Sequence, residues 1–312
     1  MAKLGSEKIG WIGTGRMGFP MAEHLLKAGA DLTAYNRTRA KAEPLTKHGA
    51  KLAAKPADLA PCDIVFTMVT ADQDLIDVAT GPGGVLTDPA RAPKILIDCS
   101  TVSGEASAQV RDAAAKRGTS MLAAPVSGNG KVVKAGKMSF VVSGPRAAFD
   151  RAAPYLEAMG RGAAYVGDGE LSRVVKICHN VYLGICAQGL AEVIVLAEKS
   201  GVPRHAFLDF LNKSVMGSVF SRYKTPAFVN LDFAPTFTPL GLRKDLDLGL
   251  EVGRRTGTAL PVTAQVRELV QGLIGHGVTD KDFATLLLQE AEASGLKLAS
   301  ENVAVDDGLS AG

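Results

Sequence analysis

The chain has 312 residues, 46% hydrophobic and 21% charged, with 35 basic against 32 acidic side chains and a net charge of +3. That length suits two domains and a sizeable core. So even a charge balance, without a basic block, leaves no electrostatic footprint for nucleic acid or an anionic membrane surface, and neither is expected as a partner.

Taken in order, residues 8–12 (Lys-Ile-Gly-Trp-Ile) predict a short strand running into Gly13-Thr-Gly15-Arg16-Met17-Gly18, a G-x-G-x-x-G turn. Residues 19–28 predict a helix closed by Gly29, and 31–35 a second strand. Gly13 permits the tight turn, Gly15 lets the backbone approach a pyrophosphate, and Gly18 lets helix and strand pack closely. The helix N-terminus turns free N–H groups and a positive dipole towards the phosphates. Strand, turn, helix and strand at these distances predict a dinucleotide site. An NAD site carries Asp or Glu at the end of the second strand to hold the ribose 2′-OH. Asn36, Arg37 and Thr38 stand there instead. No carboxylate is expected nearby, because Asp31 opens the strand and Glu43 lies in the next helix. The fork of Arg37 suits a 2′-phosphate, so NADP is preferred and NAD is the alternative.

Further strands are predicted at 63–69, 94–99, 121–124 and 138–143, with helices at 103–117 and 147–159. Such alternation implies a parallel, doubly wound sheet whose ligands lie beyond the carboxyl ends of its strands. Met68, Val69 and Thr70, with Ser100 and Thr101, sit at those ends and are expected to line the cofactor crevice.

Residues 169–198 hold apolar residues at helical spacing for roughly 45 Å. Lys176 and Asn180 fall one turn apart on one face of this helix. A Lys in apolar surroundings can trade protons near neutral pH. Gln188 and Glu192 make the stretch too polar for a bilayer span, so no membrane role is expected. Helices follow at 203–212, 218–230, 238–256, 261–275 and 281–293, the last capped by Asp280. His205 and His276 read as cap or surface residues. Four Cys in no C-x-x-C pair read as buried thiols, and five scattered His predict no metal site. With no charged-then-apolar leader before the first strand, a cytoplasmic location is expected. The fold expected is α/β: an N-terminal Rossmann-type doubly wound sheet (1–168) and a C-terminal all-α domain (169–298). The long helix joins them, and a disordered tail (299–312) follows.

The motifs, in series, resemble the β-hydroxyacid dehydrogenases, a family that includes 3-hydroxyisobutyrate dehydrogenase and the glyoxylate/succinic semialdehyde reductases. The glycine-rich turn continuing Phe19-Pro-Met-Ala22 resembles the family's opening, and Asp98-Cys-Ser-Thr101 its D-x-S-T turn. Ala124-Pro-Val-Ser-Gly128 is similar to the A-P-V-S-G substrate loop, Lys176-x-x-x-Asn180 to the catalytic K-x-x-x-N, and Lys244-Asp-Leu246 to K-D-L. The likeness covers residues 8–296, and Asn36-Arg-Thr38 is similar to the NADP-using members.

The resemblance implies an NADP-dependent enzyme interconverting a small carboxylated aldehyde and its hydroxy acid. Hydride would pass from nicotinamide C4 and the proton from Lys176. It implies that Asn180 orients Lys176 or holds substrate, that Ser127, Gly128 and Asn129 bind the substrate carboxylate, that Thr101 contacts nicotinamide or substrate, and that Lys244 closes over the cofactor. Family members are dimers or tetramers, so a homo-oligomer is expected. An NAD-dependent 3-hydroxyisobutyrate-type dehydrogenase and a non-catalytic dinucleotide-binding scaffold are the alternatives, and the presence of Lys176 and Asn180 argues against the scaffold. The chain departs from the pattern at Asn129 (usually Gly), at Glu170-Leu-Ser172 (often G-S-G), at Gly104 (often Pro) and at Val69-Thr70 (often Leu-Pro). Lys131 and Arg173 are extra cations beside two of these departures. One of them is expected to meet a second anionic group on the substrate.

Overall fold

Strands buried on both faces must be short, apolar and covered by helices. The chain supplies them at β1 (Lys8–Ile12), β4 (Ile64–Thr67) and β5 (Ile95–Asp98), where every residue but Lys8 is buried. With β2 (Asp31–Tyr35), β3 (Lys51–Leu52) and β6 (Ser120–Ala123) they form a six-stranded sheet ordered β3-β2-β1-β4-β5-β6. Every pairing is parallel, which is the doubly wound order of dinucleotide-binding sheets. Helices α1 (Gly18–Lys27), α2 (Asp72–Thr80) and α3 (Gly104–Ala115) are its crossovers. Leu75 and Ala79 of α2 and Val110 and Ala114 of α3 pack against Ile12, Val65 and Leu96.

The register puts the strand ends on one line. Ile12 pairs with both Tyr35 and Thr67, Thr67 with Asp98, and Asp98 with Ala123. Whatever follows each strand therefore emerges along a single edge.

A second, three-stranded sheet of β7 (Val126–Ser127), β8 (Ser139–Val142) and β9 (Ala163–Tyr165) follows, with α4 (Gly130–Lys134) and α5 (Arg146–Met159) between its strands. An isolated bridge between Ala123 and Ser143 ties it to the end of β6.

The structure, a computed structural model, describes residues 4–309, and the chain falls into two compact units, Met1–Lys176 and Ile177–Gly312. The division lies inside the long helix α6 (Leu171–Lys199) rather than before it at residue 169. The reason is polar. Ser172 Oγ donates to the Ala123 carbonyl at 2.9 Å and Ser172 N to Ser143 Oγ at 3.1 Å, so the first turn is fastened to the sheets.

The second unit is all-helical. It holds the rest of α6 with α7 (Arg204–Lys213), α8 (Val219–Asn230), α9 (Pro239–Thr256), α10 (Pro261–Gly275) and α11 (Leu286–Ala293). Ala191, Ile194, Leu208, Phe228 and Leu246 are fully buried in its core. By length and composition alone α6 would pass as a membrane-crossing helix, against the expectation that Gln188 and Glu192 forbid it. In the fold those two are satisfied locally. Gln188 Nε2 donates to Glu192 at 3.1 Å and to Glu290 at 2.9 Å.

Two expectations are corrected here. The last helix is preceded by a 3-10 turn, Phe283–Thr285, capped by Asp282 and not Asp280. The tail, expected to be loose, makes defined contacts at Glu301 and Val303, with 310–312 outside the described residues. Glu301 accepts from the backbone N–H of Arg204 at 2.7 Å, from that of His205 at 3.0 Å and from the His205 ring at 2.9 Å. Val303 N donates to Asn230 at 3.1 Å. An acidic tail finds the open N-terminus of α7, where a carboxylate is favoured.

Candidate active site

The glycine-rich turn leaves the end of β1 with Gly13 at φ 96°, and a Cβ there would run into the Met68 carbonyl oxygen. A Cβ on Gly15 would meet nothing within 4 Å, which leaves that backbone open to a ligand. The first turn of α1 has no side-chain cap and no acidic residue. Its N–H groups are left for an external anion. Thr14 Oγ1 is buried with no partner among the described residues, and its backbone N–H goes to Asn36 Oδ1 at 2.9 Å. An open cradle, an uncapped helix and an orphaned hydroxyl fit a dinucleotide pyrophosphate. Asn36 also donates to the Thr38 carbonyl at 2.9 Å, so it ties the end of β2 to the turn.

Arg37 is 84% exposed, and one arm reaches Asp74 of α2 at 2.9 Å. The expectation that no carboxylate stands near this corner is therefore wrong. Asp74 arrives from 37 residues away, across the sheet edge, where no local reading finds it.

Past β4 come Met68, Val69 and Thr70, and past β5 come Cys99, Ser100 and Thr101. These two ends are cross-linked. Thr67 Oγ1 donates to Asp98 Oδ1 at 2.7 Å, Ser100 N to the same oxygen at 3.2 Å, and Val69 N to Ser100 Oγ at 2.9 Å. Thr101, at the tip, is exposed. The Cys99 thiol is pushed well above its usual range by burial and by the neighbouring Asp98 charge, with Arg173 opposing. It is no nucleophile.

Past β6 the A-P-V-S-G loop leads through Ser127 and Gly128 (φ 134°) to Asn129. The Asn129 side chain accepts from Lys131 N at 2.9 Å and Val132 N at 3.1 Å, capping α4. Its Nδ2 is buried with no partner among the described residues. A Cβ on Gly130 would lie 3.4 Å from the Arg16 carbonyl oxygen, so this loop abuts the glycine-rich turn.

Arg173 does not reach for a substrate. It is 7% exposed, and all three guanidinium nitrogens are engaged. Nη2 donates to Asp98 Oδ2 at 2.7 Å and Ser107 Oγ at 3.0 Å, Nη1 to the Ser100 carbonyl at 3.0 Å, and Nε to Glu170 at 2.8 Å. Glu170 is held in turn by Arg111 of α3. Of the two cations expected to meet a second anionic group, Arg173 is turned inward, with four of its five N–H donors used within the protein. Lys131 is exposed on α4.

Lys176 follows three residues later and closes the first unit. The remaining expected site residues belong to the second unit. There Asn180, 6% exposed, donates to Asp245 Oδ2 at 2.6 Å. Lys244 lies 3.3 Å from Asp245 Oδ1. Asn180 and Lys244 thus meet through the carboxylate of the K-D-L motif.

The family described as the NAD binding domain of 6-phosphogluconate dehydrogenase matches residues 8–167, and that described as NAD-binding of NADP-dependent 3-hydroxyisobutyrate dehydrogenase matches residues 171–289. Glyoxylate/succinic semialdehyde reductase 2, chloroplastic, of Arabidopsis thaliana is 30% identical over 91% of this chain and 80% of its own. The 2-(hydroxymethyl)glutarate dehydrogenase of Eubacterium barkeri is 32% identical over 94% of this chain and 98% of its own. Among solved structures, Mycobacterium tuberculosis 3-hydroxyisobutyrate dehydrogenase with L-serine superposes with a TM-score of 0.77 at 27% identity, covering 91% of this chain and 99% of that one.

Proposed function

The chain belongs to the β-hydroxyacid dehydrogenase family and is an NAD(P)-dependent oxidoreductase, and from that premise we propose that it interconverts a small carboxylated aldehyde and the matching hydroxy acid, with NADP preferred and Lys176 handling the proton. The substrate class follows relatives named for glyoxylate, succinic semialdehyde and 2-(hydroxymethyl)glutarate. The reading is carried by Lys176 lying in the same compact unit as the glycine-rich turn and the A-P-V-S-G loop, just beyond a helix start fastened to the sheet edge.

When bound, the nicotinamide supplies or accepts the hydride. The Lys176 ammonium stabilises charge developing on the carbonyl oxygen and then gives it a proton. In the oxidative direction the free amine removes the hydroxyl proton. Ser127 and the backbone N–H groups of Gly128 and Asn129 hold the substrate carboxylate, as a nest of donors suits an anion. Thr101 borders the reacting end. Asn180 steadies Asp245 and, through it, Lys244.

Arg37 keeps donors free for a 2′-phosphate, which supports NADP. Asp74 beside it steadies the fork but repels the same phosphate, so the preference over NAD is expected to be about tenfold, or about 1.4 kcal/mol. Should NADH prove the better reductant, the NAD-dependent alternative takes its place. A homo-oligomer completes the proposal, with the solvent side of α6, where Tyr182 is 65% and Leu196 66% exposed, as the face offered to a second copy. Light scattering on the purified chain checks it, and a monomer would remove it.

The deciding experiment follows NADPH and then NADH absorbance with glyoxylate, succinic semialdehyde, tartronate semialdehyde, methylmalonate semialdehyde and a cyclic imine. Turnover of at least one carboxylated aldehyde is expected, faster with NADPH. Turnover of the imine alone would overturn the reading.

A further inference from the structure

A buried cation on the same helix, three residues before the candidate acid, has no place in the chemistry just described. We infer that Arg173 is a positioning residue for Lys176: its guanidinium locks the start of the catalytic helix to the D-x-S-T turn and so sets where the amine stands. The inference rests on the reading of Lys176 given above.

Two halves of the site meet at Arg173. On one side it grips Asp98 and the Ser100 carbonyl, and Asp98 and Ser100 also fix Thr67 and Val69. The guanidinium therefore holds the turn that carries Thr101 and the segment that carries Met68 and Val69. On the other side its own backbone is the first turn of α6. Residues 173 and 176 are separated by about 4.5 Å of helix rise and about 60° of rotation. A shift of the anchor passes to the amine almost undiminished, since no hinge lies between them. A displacement of about 1 Å at a reacting group can cost about 100-fold in rate.

The chemistry of the anchor points the same way. Burying a guanidinium is expensive, and an apolar side chain often packs such a spot at no loss of stability. What an Arg adds is a rigid planar fork meeting three directions at once, which Lys cannot reproduce. Here the three directions are the end of β5, helix α3 through Ser107, and Glu170 in the turn before α6. Ser172 and Ser143 fasten the same turn independently, at 2.8 Å between their hydroxyls. Loss of Arg173 is therefore expected to loosen the helix start without unfolding it.

The test is a kinetic cycle on the full chain with NADPH and either glyoxylate or succinic semialdehyde, comparing wild type, R173Q, R173K, K176A and R173Q/K176A. R173Q should lower kcat roughly 30-fold or more, with KM and the NADPH dissociation constant within about threefold. R173K should recover part of the loss. In the K176A background, R173Q should cost no more than about twofold, because the amine it aims is gone. Equal losses in both backgrounds would mean a general structural role and overturn the inference, as would an R173Q enzyme as fast as its parent beside a crippled K176A. A K176A enzyme as fast as wild type would instead bring down the reading of the reaction, and Arg173 with it. Should R173Q fail to fold, E170Q loosens the same fork while leaving the buried charge paired. Its smaller kcat loss should likewise vanish in the K176A background, and persistence there would refute the idea.

Discussion

Among the described residues, two ion pairs have both side chains buried, with nearly equal burial and very different placement. Arg173 and Asp98 lie in the first unit, with side chains 8% and 0% exposed; Lys224 and Asp282 lie in the second, each 2% exposed. Arg173 joins the D-x-S-T turn, which carries Thr101, to the start of the helix that carries Lys176. Lys224 sits 2.5 Å from Asp282, 3.0 Å from Thr236 Oγ1 and 4.3 Å above the Phe283 ring. Asp282 caps the 3-10 turn at Phe283–Thr285 and accepts from the backbone of Thr236 at 3.0 Å and Phe237 at 3.3 Å. None of these partners is a candidate site residue. The same chemistry thus fastens the start of the helix that carries Lys176 in one unit and a chain crossing in the other. Burial and charge alone do not reveal function; the identity of the segments being joined does.

The sharpest way to break that contrast is to remove Lys224. Lys224→Met leaves a carboxylate buried without its cation and should cost about 3–5 kcal/mol of stability. Activity per folded molecule should stay within about twofold. Urea unfolding beside steady-state kinetics checks both. A kcat loss as large as that expected for R173Q would erase the distinction between the two pairs.

A finer test uses pH on a third, more exposed version of the same chemistry, the Glu301 clasp of the tail. Burial works to raise the Glu301 carboxyl, but hydrogen bonds from the His205 side chain and from the backbone N–H groups of His205 and Arg204 hold it below its ordinary 4.5. A depressed carboxyl contributes stability that is fully present above the unfolded value and lost as pH falls through the folded one. Tail docking should therefore be constant above about pH 5.5 and weaken only below 4.5. Glu301→Gln should speed hydrogen exchange at Val303 by about tenfold at neutral pH, with kinetics unchanged. Exchange that changes most between pH 6 and 7 would assign the clasp to the His205 charge instead.

Local pattern carried most of the fold. The turn from Gly13 to Gly18, the apolar strands and the 29-residue helix follow from spacing within a few residues, and the structure holds each close to where the sequence puts it. β3 and β7, at two residues each, and β9, at three, are too short to show any period. The polar fastenings were invisible for another reason. Arg173 finds Asp98 across 75 residues, Lys224 finds Asp282 across 58, Arg37 finds Asp74 across 37, and Glu301 finds the backbone N–H of Arg204 across 97. In sequence each looks like one more surface charge. From sequence, Lys131 or Arg173 is expected to meet the substrate and 299–312 to be a loose tail; Arg173, Glu301 and Val303 instead take contacts that exist only once the chain closes on itself. Asp245 was legible as part of K-D-L, but not as the partner of Asn180.

The central claim is that Lys176 handles the proton. It is tested most directly by kcat of Lys176→Ala with NADPH and the best aldehyde of the screen, alongside the NADPH dissociation constant of the same protein. The account predicts a fall in kcat of about 100-fold or more with cofactor binding within about threefold. A Lys176→Ala enzyme that keeps the parent's rate would contradict it.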